Sequence, residues 1–406
     1  MSTPKLRFKD FNGNKFGKWE EIILGKVSDI RDGTHDSPTY IKEGYPLITS
    51  KNLKNGRLDF SDINYISKDD FESINKRSKV DIGDIIFGMI GTIGNPVLLE
   101  HEGFAIKNVA LIKQKNDLIN SFLIHYLQSN FFKNQVRLLN VGNTQKFLAL
   151  GQIRSIKVIK PSLEEQTKIA SFLSEVDKKI SQLTQKQQLL SQYKQGMMQK
   201  LFSQQIRFKA DDGSEFEEWN DIQLKDISHR ITRKNKELNQ NALTISAQLG
   251  LINQQEYFSK QIASRDLSKY YLLHKGEYAY NKSYSAGYPM GAIKRLKLYD
   301  KGVVSTLYIC FSLNEYINSD YFEQFVESGL LVPELEKIAQ EGARNHGLLN
   351  ISLQEFFEVD LKIPSLDEQA KIANFLSAID QKIEIAAHQI EQAKQWKKGL
   401  LQQMFV

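Results

Sequence analysis

The chain has 406 residues, 41% of them hydrophobic and 25% charged, with a formal net charge of +6. Its length predicts two or three domains, and no apolar run is long enough to span a membrane or act as a secretion signal. A single cysteine, Cys310, excludes an internal disulfide and is expected to be a small core residue of a cytoplasmic protein.

The first region, residues 1–160, mixes two kinds of hydrophobic period. YPLITSKNL and KVDIGDIIFGMIGTIGNPVLLE are typical of strands and turns, and LINSFLIHYLQSNFFKNQVRLL is typical of one helix. An α/β domain is therefore predicted. In RDGTHDSP, His35 lies between two aspartates, which suits a metal or acid-base cluster, or a turn whose Asp side chains cap the backbone. The turn is the commoner arrangement.

The second region, residues 161–202, begins at Pro161 and continues without another proline or a glycine cluster. Ser162 and Glu165 have the spacing of a capping box, and acidic residues occupy the first turn. One long helix is predicted here, of about 60 Å at 1.5 Å per residue.

The third region, residues 203–363, again mixes strand and helix patterns. KGEYAYNKSYSAGYPMGAIKRLKLY and GVVSTLYICFSL are typical of strands, and SDYFEQFVESGLLVPELEKIA of one or two helices. The fourth region, residues 364–406, predicts a second long helix, with Ser365 and Glu368 repeating the capping-box spacing.

The chain contains an internal duplication. KLRFKDFNGNKFGKWEEIIL from Lys5 matches QIRFKADDGSEFEEWNDIQL from Gln205 at eight positions, and residues 161–202 match residues 364–405 at 19 of 42 positions. The sequence at the two ends of each half is repeated, while the sequence between them differs. This pattern indicates two similar domains with one task and different targets.

Both helices carry a five-heptad apolar seam, which predicts a coiled coil formed by the two copies. The heptads alone do not distinguish parallel from antiparallel pairing, but the connectivity favours an antiparallel pair with a pseudo-two-fold axis. Lys194 and Lys397 interrupt the seam. They are expected either to extend their amines to solvent near the helix ends or to contact a partner.

The loops of both domains combine basic, amide and aromatic side chains. Lysine and arginine bind phosphates or guanine, and asparagine and glutamine bind adenine, although the same residues are common in ordinary surface turns. The candidate DNA-binding residues are Lys51, Asn52, Lys54, Asn143, Thr144, Gln145, Lys146, Asn281, Lys282, Ser283, Tyr284, Arg344, Asn345 and His346.

The patterns of the common catalytic sites are missing from the sequence. No phosphate-binding GxxxxGK[ST] loop, GxGxxG turn, Gly-x-Ser-x-Gly elbow, methyltransferase Asn-Pro-Pro-aromatic motif or zinc-ligand spacing occurs. A chain without a catalytic or metal site is therefore expected.

The order of domain, PSLxEQxKIAxFLSxxDxKI helix, second domain and repeated helix resembles the specificity subunit of type I restriction-modification enzymes. GTHDSPTYIKEGYPLITSKNL and GEYAYNKSYSAGYPMGAIKRL resemble that family's target-recognition domains. The resemblance implies an α+β fold: two α/β target-recognition domains, residues 1–160 and 203–363, joined by two long antiparallel coiled-coil helices, residues 161–202 and 364–406.

The resemblance also implies a function. Each domain would read one half of a split, asymmetric site in double-stranded DNA, while two modification subunits methylate adenine and restriction subunits translocate and cleave. S-adenosylmethionine, ATP and Mg would bind those partners, and none of them this chain. The alternatives are a coiled-coil scaffold that binds proteins or glycans, and a cryptic nuclease or methyltransferase.

Overall fold

The computed structural model describes residues 4–91, 93–115, 117–139, 147–258, 266–285, 287–339 and 349–405. The chain forms two compact units, Met1–Gln185 with Ala387–Val406, and Lys186–Ala386. Each unit thus contains one mixed domain and one half of each long helix. None of the described helices is long and apolar enough to cross a membrane.

The first unit contains a mixed domain followed by the start of a 40-residue helix. Its elements are β1 (Glu20–Ile23), α1 (Leu24–Val27), β2 (Ser28–Asp32), β3 (Tyr45–Ile48), a 3-10 turn (Ser50–Asn52), β4 (Leu53–Lys54), β5 (Arg57–Leu58), β6 (Asn64–Ile66), α2 (Lys68–Ser78), β7 (Ile85–Gly88), β8 (Gly94–Leu98), β9 (Ala105–Ile106), β10 (Val109–Gln114), α3 (Asn120–Gln128), α4 (Asn130–Leu139), α5 (Leu150–Ser155), β11 (Lys157–Lys160) and α6 (Leu163–Phe202).

The second unit repeats this plan with different intermediate elements. They are β12 (Asn220–Gln223), α7 (Leu224–Ile227), β13 (Ser228–Arg230), β14 (Leu243–Ser246), β15 (Gly250–Asn253), α8 (Gln254–Tyr257), β16 (Tyr271–His274), β17 (Tyr278–Asn281), β18 (Ala292–Arg295), β19 (Lys301–Val304), β20 (Ile309–Leu313), α9 (Ser319–Glu327), α10 (Leu331–Ile338), α11 (Leu353–Phe357), β21 (Asp360–Ile363) and α12 (Leu366–Met404).

The same four-stranded antiparallel sheet lies at the centre of both units, with strand order β2-β10-β7-β8 in the first and β13-β20-β17-β18 in the second. Strand β7 is buried at all four residues and β10 at its first four. Such continuous apolar strands are typical of sheets covered on both faces. A separate two-stranded sheet, β1-β11 or β12-β21, pairs the first strand of each domain with the strand that directly precedes the long helix.

The single helix predicted over Leu118–Leu139 is two helices. Ser129, between α3 and α4, has φ −67° and ψ 156°, which is extended backbone, and its hydroxyl accepts a hydrogen bond from the backbone N–H of Phe132. The local capping interaction therefore outweighs the continuous apolar period. In the second unit Gly329 separates α9 from α10 with φ +82°, a conformation that glycine adopts at little cost.

The two long helices pair in each unit, as predicted. The seam consists of four series of five residues, spaced seven apart, that begin at Ile169 and Leu173 in α6 and at Ile372 and Leu376 in α12. All twenty of these positions are buried or half-buried. In the first unit, Trp19 contacts both Glu165 near the start of α6 and Phe405 after the end of α12. Twelve residues further along α6, Asp177 contacts Lys397, eight residues back along α12. The helices therefore run in opposite directions.

The two seam lysines do not extend to solvent, because each forms an ion pair with an aspartate of the other long helix. The Nζ of Lys397 lies 2.7 Å from both carboxylate oxygens of Asp177, and the Nζ of Lys194 lies 2.7 Å from Oδ2 of Asp380. Their amines therefore bind within the chain.

The predicted capping box is half right at Ser162 and does not form at Ser365, whose hydroxyl is buried and finds no hydrogen-bond partner among the described residues. The backbone N–H of Glu165 does donate to the hydroxyl of Ser162, at 3.4 Å. The Glu165 carboxylate, however, is fully buried and accepts two hydrogen bonds from Arg7, at 2.6 and 2.9 Å, and one from the indole of Trp19 at 2.8 Å. The N-terminal segment is thereby fastened to the start of α6.

The second unit repeats this attachment through Glu368, which accepts two hydrogen bonds from Arg207 and one from the indole of Trp219. The arginine and tryptophan belong to the first repeated motif, and the glutamate belongs to the second. In each unit, therefore, the two repeated sequence motifs supply the two sides of the same contact.

The segment that enters each domain also pairs with the end of a long helix. Leu6 donates its N–H to the carbonyl of Gln403 at 3.2 Å, and Ile206 donates to Lys200 at 3.3 Å. Lys5 donates to Gln403 as well, at 2.9 Å. The end of α12 therefore contacts the start of the first domain in the same way as the end of α6 contacts the start of the second domain.

Candidate nucleic-acid interface

Three loops of the first unit meet at one edge of the β6-β3-β9 sheet. Strands β3 and β9 are parallel, with Ile48 opposite Ile106, so their carboxyl ends lie side by side. Ser50 after β3 donates to the carbonyl of Asn108 at 3.4 Å, and Thr34 donates to the carbonyl of Ile106 at 3.0 Å. Polar groups from distant parts of the sequence are collected there.

His35 is held at this edge by oxygen acceptors on both ring nitrogens. Its Nδ1 lies 2.8 Å from Oδ1 of Asn108 and its Nε2 lies 2.9 Å from Oδ2 of Asp32. Both hydrogen bonds, and the one to Asn108 most of all, raise the pKa of His35. Arg77 contacts the same Asp32 at 2.7 Å. A half-exposed imidazolium is thus favoured, which suits an anion.

The local turn around His35 differs from the Asp-capped turn of the sequence analysis. The backbone N–H of Asp36 donates to the hydroxyl of Thr34 at 3.1 Å, while the Asp32 carboxylate binds His35 and Arg77. In the described part of the chain, no three His, Cys, Asp or Glu side chains are grouped as metal ligands.

Two of the candidate residues in the first unit are exposed lysines with carboxylate neighbours. The Nζ of Lys51 is 3.0 Å from Asp62, and that of Lys54 is 2.6 Å from Asp59. Solvent-exposed ion pairs contribute little to stability. Such amines can exchange a carboxylate for a phosphate at small cost.

Asn52, the third candidate of this loop, has an internal task. It is 2% exposed, and its amide donates to the carbonyls of Asp59 and Asp62 at 3.1 and 2.9 Å. Its side-chain oxygen accepts the N–H of Thr49. Because both ends of the amide are used within the loop, Asn52 organises the loop and is not available to bind adenine.

The loop beyond Lys54 is a tight hairpin directed toward the helix pair. Asn55 and Gly56 have φ of 52° and 75°, the two positive values of a type I′ turn. The side chain of Arg57 donates to the hydroxyl of Ser181 on α6. Lys54 therefore lies at the base of a hairpin that packs against the helix.

In the second unit, the Asn281–Tyr284 segment begins at the last residue of β17 and continues into the loop that follows it. The N–H of Leu349 donates to the carbonyl of Lys282 at 2.7 Å, and the Nζ of Lys282 donates to the carbonyl of Ile351 at 3.1 Å. Ser283 is half-buried, and Tyr284 is 65% exposed. The segment thus lies beside the chain just after residue 348.

The first unit has a similar join after β7, where the N–H of Leu148 donates to the carbonyl of Met89 at 2.9 Å. The remaining candidates belong to the stretches that precede these joins and lie outside the described residues: Asn143, Thr144, Gln145, Lys146, Arg344, Asn345 and His346. For these residues the DNA-binding role stays a prediction.

A cavity of about 150 Å³ opens beside Lys282 in the second unit. It is lined by Arg230, Tyr271, Lys282, Tyr308, Cys310 and Leu353, among others. Among the described lining residues two are cationic and none is acidic, so the cavity favours an anion. Burial raises the pKa of the Cys310 thiol to about 12, which keeps it protonated and confirms it as a core residue.

Arg230, Lys107 and Asn108 are not among the candidate residues predicted from the sequence. Arg230 belongs to the basic run HRITRKNK, which was a usable signal. Lys107 and Asn108 carry no local signal, because only the parallel pairing of β3 with β9 brings them beside Ser50 and His35.

The repeated domain plan, the paired helices and the two sets of loops match one known family. The sequence profile described as "Type I restriction modification DNA specificity domain" matches residues 17–192 and again residues 216–395. The chain belongs to this family. Its two matches coincide with the two copies of the domain and adjoining helix.

Known specificity subunits are similar over long stretches. That of the type I restriction enzyme MjaVIII from Methanocaldococcus jannaschii is 25% identical over 97% of this chain and 94% of its own length. That of EcoKI from Escherichia coli is 23% identical over 39% of this chain and 36% of its own length. The chain is accordingly a type I specificity subunit with two target-recognition domains.

Solved structures show the same fold. The S subunit of a type I restriction-modification system from M. genitalium superimposes with a TM-score of 0.60 at 15% identity, covering 100% of this chain and 99% of that one. A chain from a study of type I assembly and conformational transition gives 0.54 at 16% identity, covering 96% and 98%. These matches confirm the α+β fold with two domains and two long helices.

Proposed function

We propose that each target-recognition domain reads one half of a bipartite, asymmetric site in double-stranded DNA. The observation that carries this proposal is the repetition of one scaffold with two unrelated sets of loops. Both domains are fastened to the long helices by the same Arg-Glu-Trp contact. The residues after β7 and β17 have almost no sequence in common, as expected of readers of different bases.

The charges at the candidate interface support phosphate binding. In the first unit, Lys51, Lys54 and the His35 imidazolium are solvent-accessible cations. In the second unit, Arg230 and Lys282 line a cavity whose named walls carry no carboxylate. Each phosphate contact makes the logarithm of the DNA affinity fall with the logarithm of salt concentration. The substitutions R230A and K282A are therefore expected to reduce that slope.

The chain directs the chemistry of partners and supplies no catalytic group. Two modification subunits that bind S-adenosylmethionine methylate one adenine in each half-site, and restriction subunits that use ATP and Mg cleave the DNA. The complex works in the cytoplasm. Methylation needs the target adenine outside the base stack, so this chain positions the site and the modification subunit acts on the base.

A domain exchange tests the bipartite reading. Residues 1–160 are replaced by the matching region of another specificity subunit, and the hybrid is co-expressed with its modification subunit. Sequencing of methylated adenines is expected to show one new half-site and one unchanged half-site. A reciprocal exchange of residues 203–363 serves as the control. A hybrid that changes both halves, or neither, would contradict the proposal.

The absence of catalysis is tested on the purified chain alone. Incubated with DNA, S-adenosylmethionine, ATP and Mg, it is expected neither to methylate nor to cut, and the addition of the modification subunit is expected to start methylation. Methylation or cleavage by the chain alone would establish an enzyme instead.

A further inference from the structure

The two seam lysines are the centres of equivalent polar nodes. Lys397 and Lys194 occupy the same heptad position, 203 residues apart, where the neighbouring positions are mostly apolar. Each binds the aspartate that is itself repeated at the same separation, Asp177 for Lys397 and Asp380 for Lys194. The lysine side chains are only 13% and 17% exposed. Such an ion pair requires its two charged groups to lie opposite each other, whereas apolar contacts tolerate many arrangements.

Each node also includes one helix of the attached domain, α3 in the first unit and α9 in the second. In the first unit, Oε1 of Gln128 on α3 accepts a hydrogen bond from Lys397 at 2.6 Å. In the second unit, Nε2 of Gln324 on α9 donates to Asp380 at 2.9 Å. Three elements, two long helices and one domain helix, are therefore tied at one point in each unit.

The consequence of a register slip follows from the sequence. Apolar seam residues recur every seven positions, so a shift of one heptad still pairs apolar with apolar. The ion pairs do not recur in this way. A one-heptad shift replaces Asp177 with Ala170 or Thr184, and replaces Asp380 with Ala373 or Ala387. A slipped pair would leave mostly buried ammonium groups without a carboxylate, which is unfavourable.

We propose that these two nodes are positioning elements that set the axial register of the helix pair, and with it the half-site spacing that the protein accepts. The inference rests on the proposed bipartite function. One heptad advances a helix by about 10 Å, which corresponds to about three base pairs at 3.4 Å each. The apolar seam holds the helices together, and the nodes select one register among those that the seam allows.

The test removes both nodes without leaving a charge behind. The variant K397M/D177L/K194M/D380L is co-expressed with its modification subunit and supplied with DNA duplexes whose half-sites are separated by the natural spacer or by up to three base pairs more or fewer. The natural protein is expected to methylate one spacer. The natural protein should prefer the natural spacer to spacers that are three base pairs longer or shorter. In the variant, this preference is expected to fall about tenfold or more.

Two controls make the outcome specific. K398M removes a lysine from the adjacent, exposed position of α12 and is expected to keep the natural preference. The charge-reversed variant K397D/D177K/K194D/D380K restores both ion pairs and is expected to recover at least part of it. Helix content and melting temperature, followed by circular dichroism, report whether each variant folds.

A folded four-fold variant that still methylates only the natural spacer would overturn the inference. If that variant does not fold, D177N/D380N is tested instead, because the amides keep the shape of the aspartates and weaken the ion pairs. An unchanged spacer preference in D177N/D380N would overturn the inference, and a relaxed preference would support it. Failure of the natural chain to direct methylation at any two-part site would instead contradict the proposed function.

Discussion

The two units differ least where each domain joins the helices and most where each faces solvent. Gln166 and Gln369 illustrate the first case, because each accepts a backbone N–H from its own domain, that of Ile119 or Asn318, and donates to a proline carbonyl just before its helix. His35 illustrates the second. It is half-exposed, whereas the residue 200 positions later, Asn235, is fully buried.

The attachments and the loops place different requirements on their residues. The attachments are buried and fully hydrogen-bonded, so a change in one partner leaves another without a bond. The loops are surrounded by water, which tolerates new side chains. A duplicated chain therefore keeps the first set of residues in both copies and lets the second set diverge.

The largest effect is expected from removing the shared attachment. E165A leaves Arg7 without its partner and a tryptophan indole without an acceptor at a buried site, and E368A does the same in the second unit. Each substitution should lower the free energy of unfolding by about 3–5 kcal/mol, measured by urea denaturation of the full chain. The exposed neighbour is the control, since E164A should cost less than about 0.5 kcal/mol. If only one of the two substitutions lowered the free energy of unfolding, the attachments in the two units would not be equivalent.

An intermediate effect is expected at His125 of α3 and Gln324 of α9, each of which lies beside the aspartate of the node in its own unit. Burial and the charge of Lys397 lower the pKa of His125 to about 3, and Asp177, 3.7 Å away, is already neutralised by that lysine. The unfolded chain takes up this proton near pH 6.5. Stability due to neutral His125 is therefore present above pH 6.5 and is lost as the pH falls toward 3.

H125Q should consequently gain stability relative to the natural chain on acidification, by about 1.4 kcal/mol per pH unit below 6.5. Denaturation at pH 8 and pH 5 measures this difference. The reciprocal substitution Q324H should introduce the same acid sensitivity in the second unit. Parallel stability curves for H125Q and the natural chain would contradict this assignment.

A smaller effect is expected at His35 in the first unit. Its pKa is raised by Asn108 and Asp32, so its positive charge is present below that pKa and is lost as the pH rises through it. DNA affinity is measured by fluorescence anisotropy between pH 6 and 9. As the pH rises, the affinity of the natural chain should fall by up to about tenfold more than the affinity of H35Q. H101Q, which changes an exposed histidine of the same unit, should behave like the natural chain.

The smallest effect is expected from moving the chain ends. The contacts of Leu6 with Gln403 and of Ile206 with Lys200 are equivalent, so a permutant opened near Ser203, with a short linker between the present ends, should keep its helix content and support methylation. A permutant opened at Leu183, inside α6, should be clearly less stable. Loss of methylation in a folded Ser203 permutant would count against the equivalence.

Local patterns in the sequence determined a large part of this protein. The seven-residue period predicted both long helices and their pairing, because side chains on one helical face must all be covered. The duplication predicted two copies of one domain, and the family resemblance agrees with both profile matches. Residues such as Cys310, within an apolar run, were assigned correctly for the same reason.

Only the tertiary structure decided how polar side chains are partnered. Glu165 has capping-box spacing, yet its carboxylate binds Arg7, 158 residues away. Asn52 looked like a base reader and instead organises its own loop. A hydrogen bond depends on distance and direction in space, which sequence separation does not contain. Burial can be inferred from a repeating local pattern, but the partner of a buried charge appears only when distant segments are brought together.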